Sequence, residues 1–219
     1  SVLSSAFLIE NKTSAKLRFK KYDFEAIPLV ENHKEPLYFF KVQHLPSLKN
    51  DEDLSEDPPR VTFALDHFYL AGVEGSCSTW QEFGEWYQTK VLPGTDVLPP
   101  EAKTDILQLV GNETDPKKKI QKIYQYVQAR TRYINVSIGI GGWKPMDATS
   151  VHKYGYGDCK ALSNYTKALL EVAGIPSNLT IIHASNRRKS IDKEFVRMSG
   201  NHMIVNVPLE KDTIWLECT

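Results

Sequence analysis

The sequence predicts an α+β fold: a strand-rich first segment, a helical stretch, then a helix packed on an antiparallel sheet. Three observations carry this. Up to about residue 75 the apolar residues are aromatic or β-branched, in short, partly alternating runs with few helix signals. From Thr79 onward the apolar spacing becomes helical. Finally, the glycine-rich run Tyr154–Lys160 leads into a helix with one apolar side, followed by strand-like runs carrying a histidine and a carboxylate.

Taken in order, Ser4–Ile9, Ala15–Phe24, Leu37–Val42 and Arg60–Leu70 are the expected strands of a β-rich unit, an open sheet or an incomplete sandwich. Ser47–Arg60 is acidic and ends in two prolines before Arg60, so it is expected as a loop. Thr79 is placed to cap a helix over Trp80–Tyr87, with Trp80, Phe83 and Tyr87 on one face. Pro93-Gly94 and Pro99-Pro100 interrupt the chain before a short helix over Glu101–Val110. Asp115-Pro116 reads as an N-cap with proline at the first helical position, and Ile120, Ile123, Tyr124, Tyr126 and Val127 give that helix an apolar stripe to about Arg130.

Ile138–Pro145 is a glycine-rich loop. It lacks the Lys-Ser/Thr ending of a phosphate-binding loop and the strand–GxGxxG–helix setting, so nucleotide binding is not expected. The helix Ala161–Ala173 turns Leu162, Tyr165, Thr166, Leu169 and Val172 to one side and closes at Gly174, with Pro176 beyond. Ser177–His183 is an expected strand and Ser185–Gly200 a polar, basic loop. Met203–Val207 and Ile214–Leu216 form two further strands around a turn at Glu210-Lys211-Asp212. The division that follows is a β-rich unit over 1–75, a helical connector over 76–113 and a core over 114–219.

The bulk properties exclude several classes. Lys+Arg 27 balances Asp+Glu 27, so no overall field directs the chain to nucleic acid or an anionic surface, and the runs Lys117-Lys118-Lys119 and Arg187-Arg188-Lys189 read as solvated faces. No apolar run is long enough to span a bilayer. Three widely spaced cysteines, with no CxxC, support neither a zinc site nor a disulfide scaffold. The sequons at Asn11, Asn112, Asn135, Asn164 and Asn178 read as chance, since Asn164 and Asn178 adjoin a helix expected to be buried. The first five residues have neither a starting Met nor a basic n-region, so the chain reads as a fragment of a longer protein.

The chemistry centres on Cys159. A cysteine in the first turn of a helix meets unpaired N–H groups and the positive end of the macrodipole, an environment that favours the nucleophilic thiolate. His202 can serve as the base that returns a proton to a leaving amine, and Glu217 can orient the ring through its distal nitrogen. The interval from Cys159 to His202 accommodates a helix, a strand and a loop, and that from His202 to Glu217 suits a hairpin. The same residues also admit structural readings: an inert buried thiol, a core histidine and a surface charge on an edge strand. A metal site of His183, His202, Glu217 and Cys218 lacks the paired spacing that metal ligation shows, so no cofactor or metal is expected.

Tyr156-Gly157-Asp158-Cys159-Lys160, the helix ending Ala173-Gly174-Ile175-Pro176, Asn201-His202-Met203-Ile204-Val205 and Trp215-Leu216-Glu217-Cys218-Thr219 together resemble the transglutaminase-like superfamily, in its bacterial branch with a preceding β-rich domain of unknown function. The resemblance covers about 114–219. More weakly, Arg60–Trp86 resembles the end of the preceding domain. The resemblance implies a papain-like core with Cys159 as nucleophile, His202 as general base and acid, and Glu217 as orienting carboxylate. Trp143, Tyr156 and Asp158 are expected at the substrate cleft, and the Cys159 N–H at the oxyanion. The family's third residue is usually aspartate followed by proline, where this chain has Glu217-Cys218.

Two functions stay open. One is a thiol enzyme acting on amide bonds of a protein or peptide, with hydrolysis favoured over cross-linking. The other is a non-catalytic protein- or glycan-binding module that keeps the fold. The expected location is the periplasm or cell surface, with substrates of the cell envelope.

Overall fold

The computed structural model describes residues 2–45, 59–185 and 190–219. The acidic loop, apart from Pro59 and Arg60, and the Arg187-Arg188-Lys189 run lie outside the described residues.

Among its described residues the first segment contains seven strands: β1 (Val2–Glu10), β2 (Leu17–Tyr22), β3 (Leu29–Lys34), β4 (Leu37–Leu45), β5 (Arg60–Leu65), β6 (His67–Leu70) and β7 (Val73–Ser76). They pair antiparallel as β1-β4-β3, β2-β5 and β6-β7. The first two sheets meet through aromatic rings. Phe40 lies 5.2 Å from Phe19 and 5.5 Å from Phe63, both edge-on, the arrangement that ring quadrupoles favour.

The single strand expected over Arg60–Leu70 is two strands. At Asp66 the chain leaves β2 and turns to pair with β7, and the Asp66 carboxylate accepts the Lys16 N–H at 2.8 Å to hold the corner. β3 and β7 were not anticipated. Leu29–Lys34 has only two apolar residues, and its partner β4 supplies the register that its own pattern lacks.

Helices follow: α1 (Trp80–Trp86), continued by a π-helical turn over Tyr87–Val91, α2 (Pro100–Val110) and α3 (Pro116–Arg130). The expected caps form: Thr79 Oγ1 accepts the Glu82 N–H at 3.1 Å, and Asp115 Oδ1 accepts the Lys117 N–H at 2.9 Å. α4 (Ala148–Tyr154), capped by Asp147, is an addition to the sequence reading. The short β8 (Arg132–Tyr133) and β9 (Tyr156–Gly157) pair in parallel. Then come α5 (Cys159–Val172), β10 (Asn178–Ile182), β11 (His202–Leu209) and β12 (Asp212–Leu216).

β10, β11 and β12 form one antiparallel sheet with β11 in the centre. Its inner face, Met203, Val205 and Val207, packs on α5, whose Leu162, Tyr165, Leu169 and Leu170 are fully buried. Each such side chain stabilises by about 1.5–3 kcal/mol through removal from water. α2 and α3 close the other side of α5 with Ala102, Ile106, Ile123 and Val127. Among the described residues, side chains of β2 tie the strand-rich segment to residues near this core. Arg18 Nη2 donates to the carbonyls of Cys77 at 2.7 Å and Val196 at 2.9 Å, and the Tyr22 hydroxyl donates to Asp192 at 2.5 Å.

Candidate active site

The glycine-rich run that precedes Cys159 is a sequence of tight connections. Gly155 ends α4 in the left-handed region, at φ +66°. Gly157 sits where a Cβ would come within 2.7 Å of the Ala161 Cβ, so only glycine lets β9 enter α5 this closely. Asp158 is the N-cap, its Oδ1 accepting the Ala161 N–H at 3.0 Å. Cys159 thus takes the first helical position, where its own N–H has no intrahelical partner.

Asp158 has a second task. Its Oδ2 lies 2.5 Å from Lys160 Nζ, with side-chain exposures of only 6% and 9%. Lys160 Nζ also reaches Ser137 Oγ at 3.4 Å. The nucleophile candidate is therefore flanked on both sides by members of one buried ion pair.

His202 opens β11 opposite Ile182. Before it stands Gly200 at φ +102°, where a Cβ would meet Ile181 Cγ2 at 2.3 Å, so the chain can enter the strand here only with glycine. On the other side of β11, Val205 pairs with Leu216, which puts Glu217 one step past the last paired residue and diagonal to His202. Its side chain crosses that diagonal: Oε2 lies 2.6 Å from His202 Nε2. Oε1 accepts the Thr219 N–H at 3.0 Å and the Thr219 hydroxyl at 2.7 Å. Burial alone would raise the Glu217 carboxyl, but the hydrogen bonds from Thr219 and His202 outweigh it and hold it below its ordinary value. An ionised carboxylate can only accept, so Nε2 carries its proton and Nδ1 is the nitrogen left for exchange with a thiol.

Cys159 and His202 line one cleft of about 150 Å³ together with Trp143, Tyr87, Tyr133 and Lys160. Tyr87, buried, donates its hydroxyl to the Trp143 carbonyl at 2.8 Å, which pins the Gly139–Gly142 turn over the site. Burial first, then the nearby Asp158 carboxylate, pushes the Tyr87 phenol well above its usual range, so it stays protonated.

Of the cleft residues expected from sequence, Trp143 lines the cleft and Tyr156 and Asp158 do not. Asp158 is 4% exposed and faces α5 and Lys160, because capping the helix turns its carboxylate inward. Tyr156 lies in β9 beside Tyr154, ring centroids 6.2 Å apart. Tyr87 and Tyr133 were missed, since each comes from an element far from Cys159 in the chain. Lys160 adjoins Cys159, and its place two residues after the acidic N-cap Asp158 was the signal in the sequence.

All three cysteines are free. Cys218, where the family pattern has proline, is buried in the main core, and burial pushes its thiol up to about 11. Among the described residues no group of three or more His, Cys, Asp or Glu is placed to hold a metal ion, and no helix is long and apolar enough to cross a membrane.

Residues 105–219 match the sequence pattern of the transglutaminase-like superfamily. Among solved structures, a candidate protease from Parabacteroides distasonis ATCC 8503 superimposes with a TM-score of 0.62 at 12% identity, over 99% of this chain and 40% of its own. This chain thus spans well under half the length of that protein, and the likeness speaks for the fold alone. A candidate cysteine protease from Cytophaga hutchinsonii aligns over 100% of this chain and 72% of its own, at 11% identity; its TM-score of 0.43 carries no argument. No curated protein matches the sequence.

Proposed function

The chain belongs to the transglutaminase-like superfamily, and from that premise we propose that it is a thiol enzyme cleaving amide bonds in proteins or peptides, with Cys159, His202 and Glu217 as its catalytic residues. The observation that carries this reading is the placement of Cys159 and His202 in one cleft, with Glu217 on the far nitrogen of the ring.

The steps follow from that placement. The Cys159 thiolate attacks the amide carbonyl carbon; a C–S bond forms and the carbonyl oxygen takes the charge. The Cys159 N–H, unpartnered within its helix, donates to that oxyanion. The C–N bond then breaks as the His202 imidazolium gives its Nδ1 proton to the leaving amine, which leaves an acyl-thioenzyme and a neutral ring. Water adds to the thioester while His202 takes the water's proton. The C–S bond breaks, the acid departs, and thiolate and imidazolium are restored. An amine in place of water would give cross-linking; hydrolysis is the reading favoured here. The family's usual architecture supports a periplasmic or cell-surface location with envelope proteins or peptides as substrates.

One observation favours a second reading, a non-catalytic binding module. The His202 ring makes a single hydrogen bond among the described residues, to Glu217 and not to Cys159. Peptide hydrolysis followed by mass spectrometry separates the two. Cleavage by the wild type that disappears in Cys159→Ala supports the enzyme; equal turnover by both proteins, or none by either, sinks it.

A further inference from the structure

Behind the thiol cleft lies a second, larger cavity of about 570 Å³ that the triad does not use. The two share Tyr87, Ile181 and Met203 as a common wall. That wall is continued by an aromatic contact: Phe83, of the larger cavity, stands edge-on to Trp143, of the thiol cleft, with ring centroids 5.8 Å apart at 89°. The thiol cleft, at about 150 Å³, has room for the scissile group and little else. The larger cavity is within the range of pockets that hold whole side chains or small ligands.

From these facts we propose that this cavity is the specificity pocket of the same site, and that it takes a bulky apolar side chain, aromatic or large aliphatic, flanking the scissile amide. The proposal rests on the enzymatic reading for the word "scissile" and on geometry for the rest. The chemistry of the walls selects the occupant. Trp80, Phe83, Leu92, Leu179 and Ile191 supply apolar surface. The charged residues lining the cavity, Asp96 and Lys167, are of opposite sign, so the lining carries no net charge that would select an ionic group. Polar side chains also reach the cavity, Gln88, Asn164, Asn178 and Ser199 among them. Asn164, 2% exposed, donates its amide to the Thr95 carbonyl at 2.8 Å, and its own carbonyl oxygen has no partner among the described residues. It can accept from a substrate N–H at the cavity floor.

The cavity has one undersized position. Gly84 lies on its wall, on α1, with a backbone that any residue can adopt, and a Cβ built there meets nothing within 4 Å. A Cβ at 84 is therefore accommodated without displacing a neighbour, a leucine there adds bulk at the cavity wall, and leucine is a better helix former than glycine, so the variant is expected to fold.

The test uses the Cys159→Ala protein, so that binding is read without turnover. Capped tripeptides with central Phe or central Ala are titrated while amide shifts are followed by NMR. The expected result is at least about tenfold tighter binding of the Phe peptide, from the additional apolar surface removed from water, with shifts concentrated at Gly84, Leu179 and Ile181. Adding Gly84→Leu should bring the Phe peptide down to the Ala level. Equal affinities, shifts confined to other regions, or no effect of Gly84→Leu overturn the pocket. The two proposals fail separately. A wild type that does not cleave while the Phe preference in binding persists refutes the enzyme and leaves the pocket; cleavage indifferent to the flanking side chain, with equal binding, refutes the pocket and leaves the enzyme.

Discussion

Glu217 holds His202 with one carboxylate oxygen and is itself held by Thr219 through the other: Oε2 is 2.6 Å from Nε2, and Oε1 is 2.7 Å from the Thr219 hydroxyl. In the proposed triad, this contact lets a residue one methylene longer than the family's usual aspartate reach the ring. The longer arm crosses the strand diagonal, and the two hydrogen bonds from Thr219 fix its free end. The side chain is half exposed, so the brace counters the freedom that an exposed glutamate would otherwise keep.

Removing the parts should therefore separate their roles. His202→Ala is expected to lower peptide turnover by on the order of 10²–10⁴-fold, the usual contribution of a positioned acid–base group. Glu217→Gln, which keeps shape but not charge, should cost more than about tenfold, and Thr219→Val less than Glu217→Gln. Steady-state kinetics on one peptide substrate checks the ranking; a Thr219→Val loss as large as that of His202→Ala would refute the bracing role.

The same contact has a pH signature. The folded-state pKa of Glu217 lies below its ordinary 4.5, so the charged form is the one that folding favours. Its stabilising effect is then complete above pH 4.5 and is lost as pH falls through the lowered folded value. Wild type and Glu217→Gln should differ in Tm at pH 7 and converge as the pH is taken well below 4.5. A difference that grows on acidification would contradict the sign.

Thiol reactivity should be confined to one residue. Burial raises both Cys77 and Cys218, the latter to about 11, which leaves about one part in ten thousand of Cys218 as thiolate at pH 7. Iodoacetamide at pH 7 is expected to add a single label, at Cys159, with His202→Ala slowing it. Peptide mapping that finds three equal, slow labels would refute the assignment of Cys159 as nucleophile.

What could be read in the sequence was what is written locally. The caps at Thr79 and Asp115, the end of α5 at Gly174 and the hairpin of β11 and β12 depend on residues a few positions apart. β3 was invisible because Leu29–Lys34 takes its conformation from β4, and α4 because two buried apolar residues, Ala148 and Val151, make too short a pattern to recognise. The site divides in the same way. Cys159, His202 and Glu217 sit in recognisable local settings. Tyr87 and Tyr133 reach the cleft only through packing of distant elements, and Asp158, adjacent to the cysteine, is turned away from the cleft by its role as a helix cap.

Cys159 stands between the two members of a buried ion pair. Asp158 caps α5 and balances Lys160, and both side chains are nearly sealed from solvent. Asp158→Ala removes the cap, worth about 1 kcal/mol, and leaves a buried ammonium without its counter-charge, a change that typically costs about 3–5 kcal/mol. Lys160→Met in turn leaves the buried Asp158 carboxylate without its counter-charge, but that carboxylate keeps its hydrogen bond from the Ala161 N–H, and methionine fills much of the lysine stem's volume. Asp158→Ala, which loses the helix cap as well as the ion pair, should therefore lower stability more than Lys160→Met. In the pair Asp158→Asn with Lys160→Met, neither side chain carries a charge and the cap is retained, so stability should recover above that of Asp158→Asn alone. Tm shifts of roughly 2–4 °C per kcal/mol at this chain length make the ranking measurable by thermal melts. If Lys160→Met proves as damaging as Asp158→Ala, then the cation is doing more than balancing Asp158. In that case its position in the cleft, beside Cys159 and within 3.4 Å of Ser137, becomes the place to look for its second role.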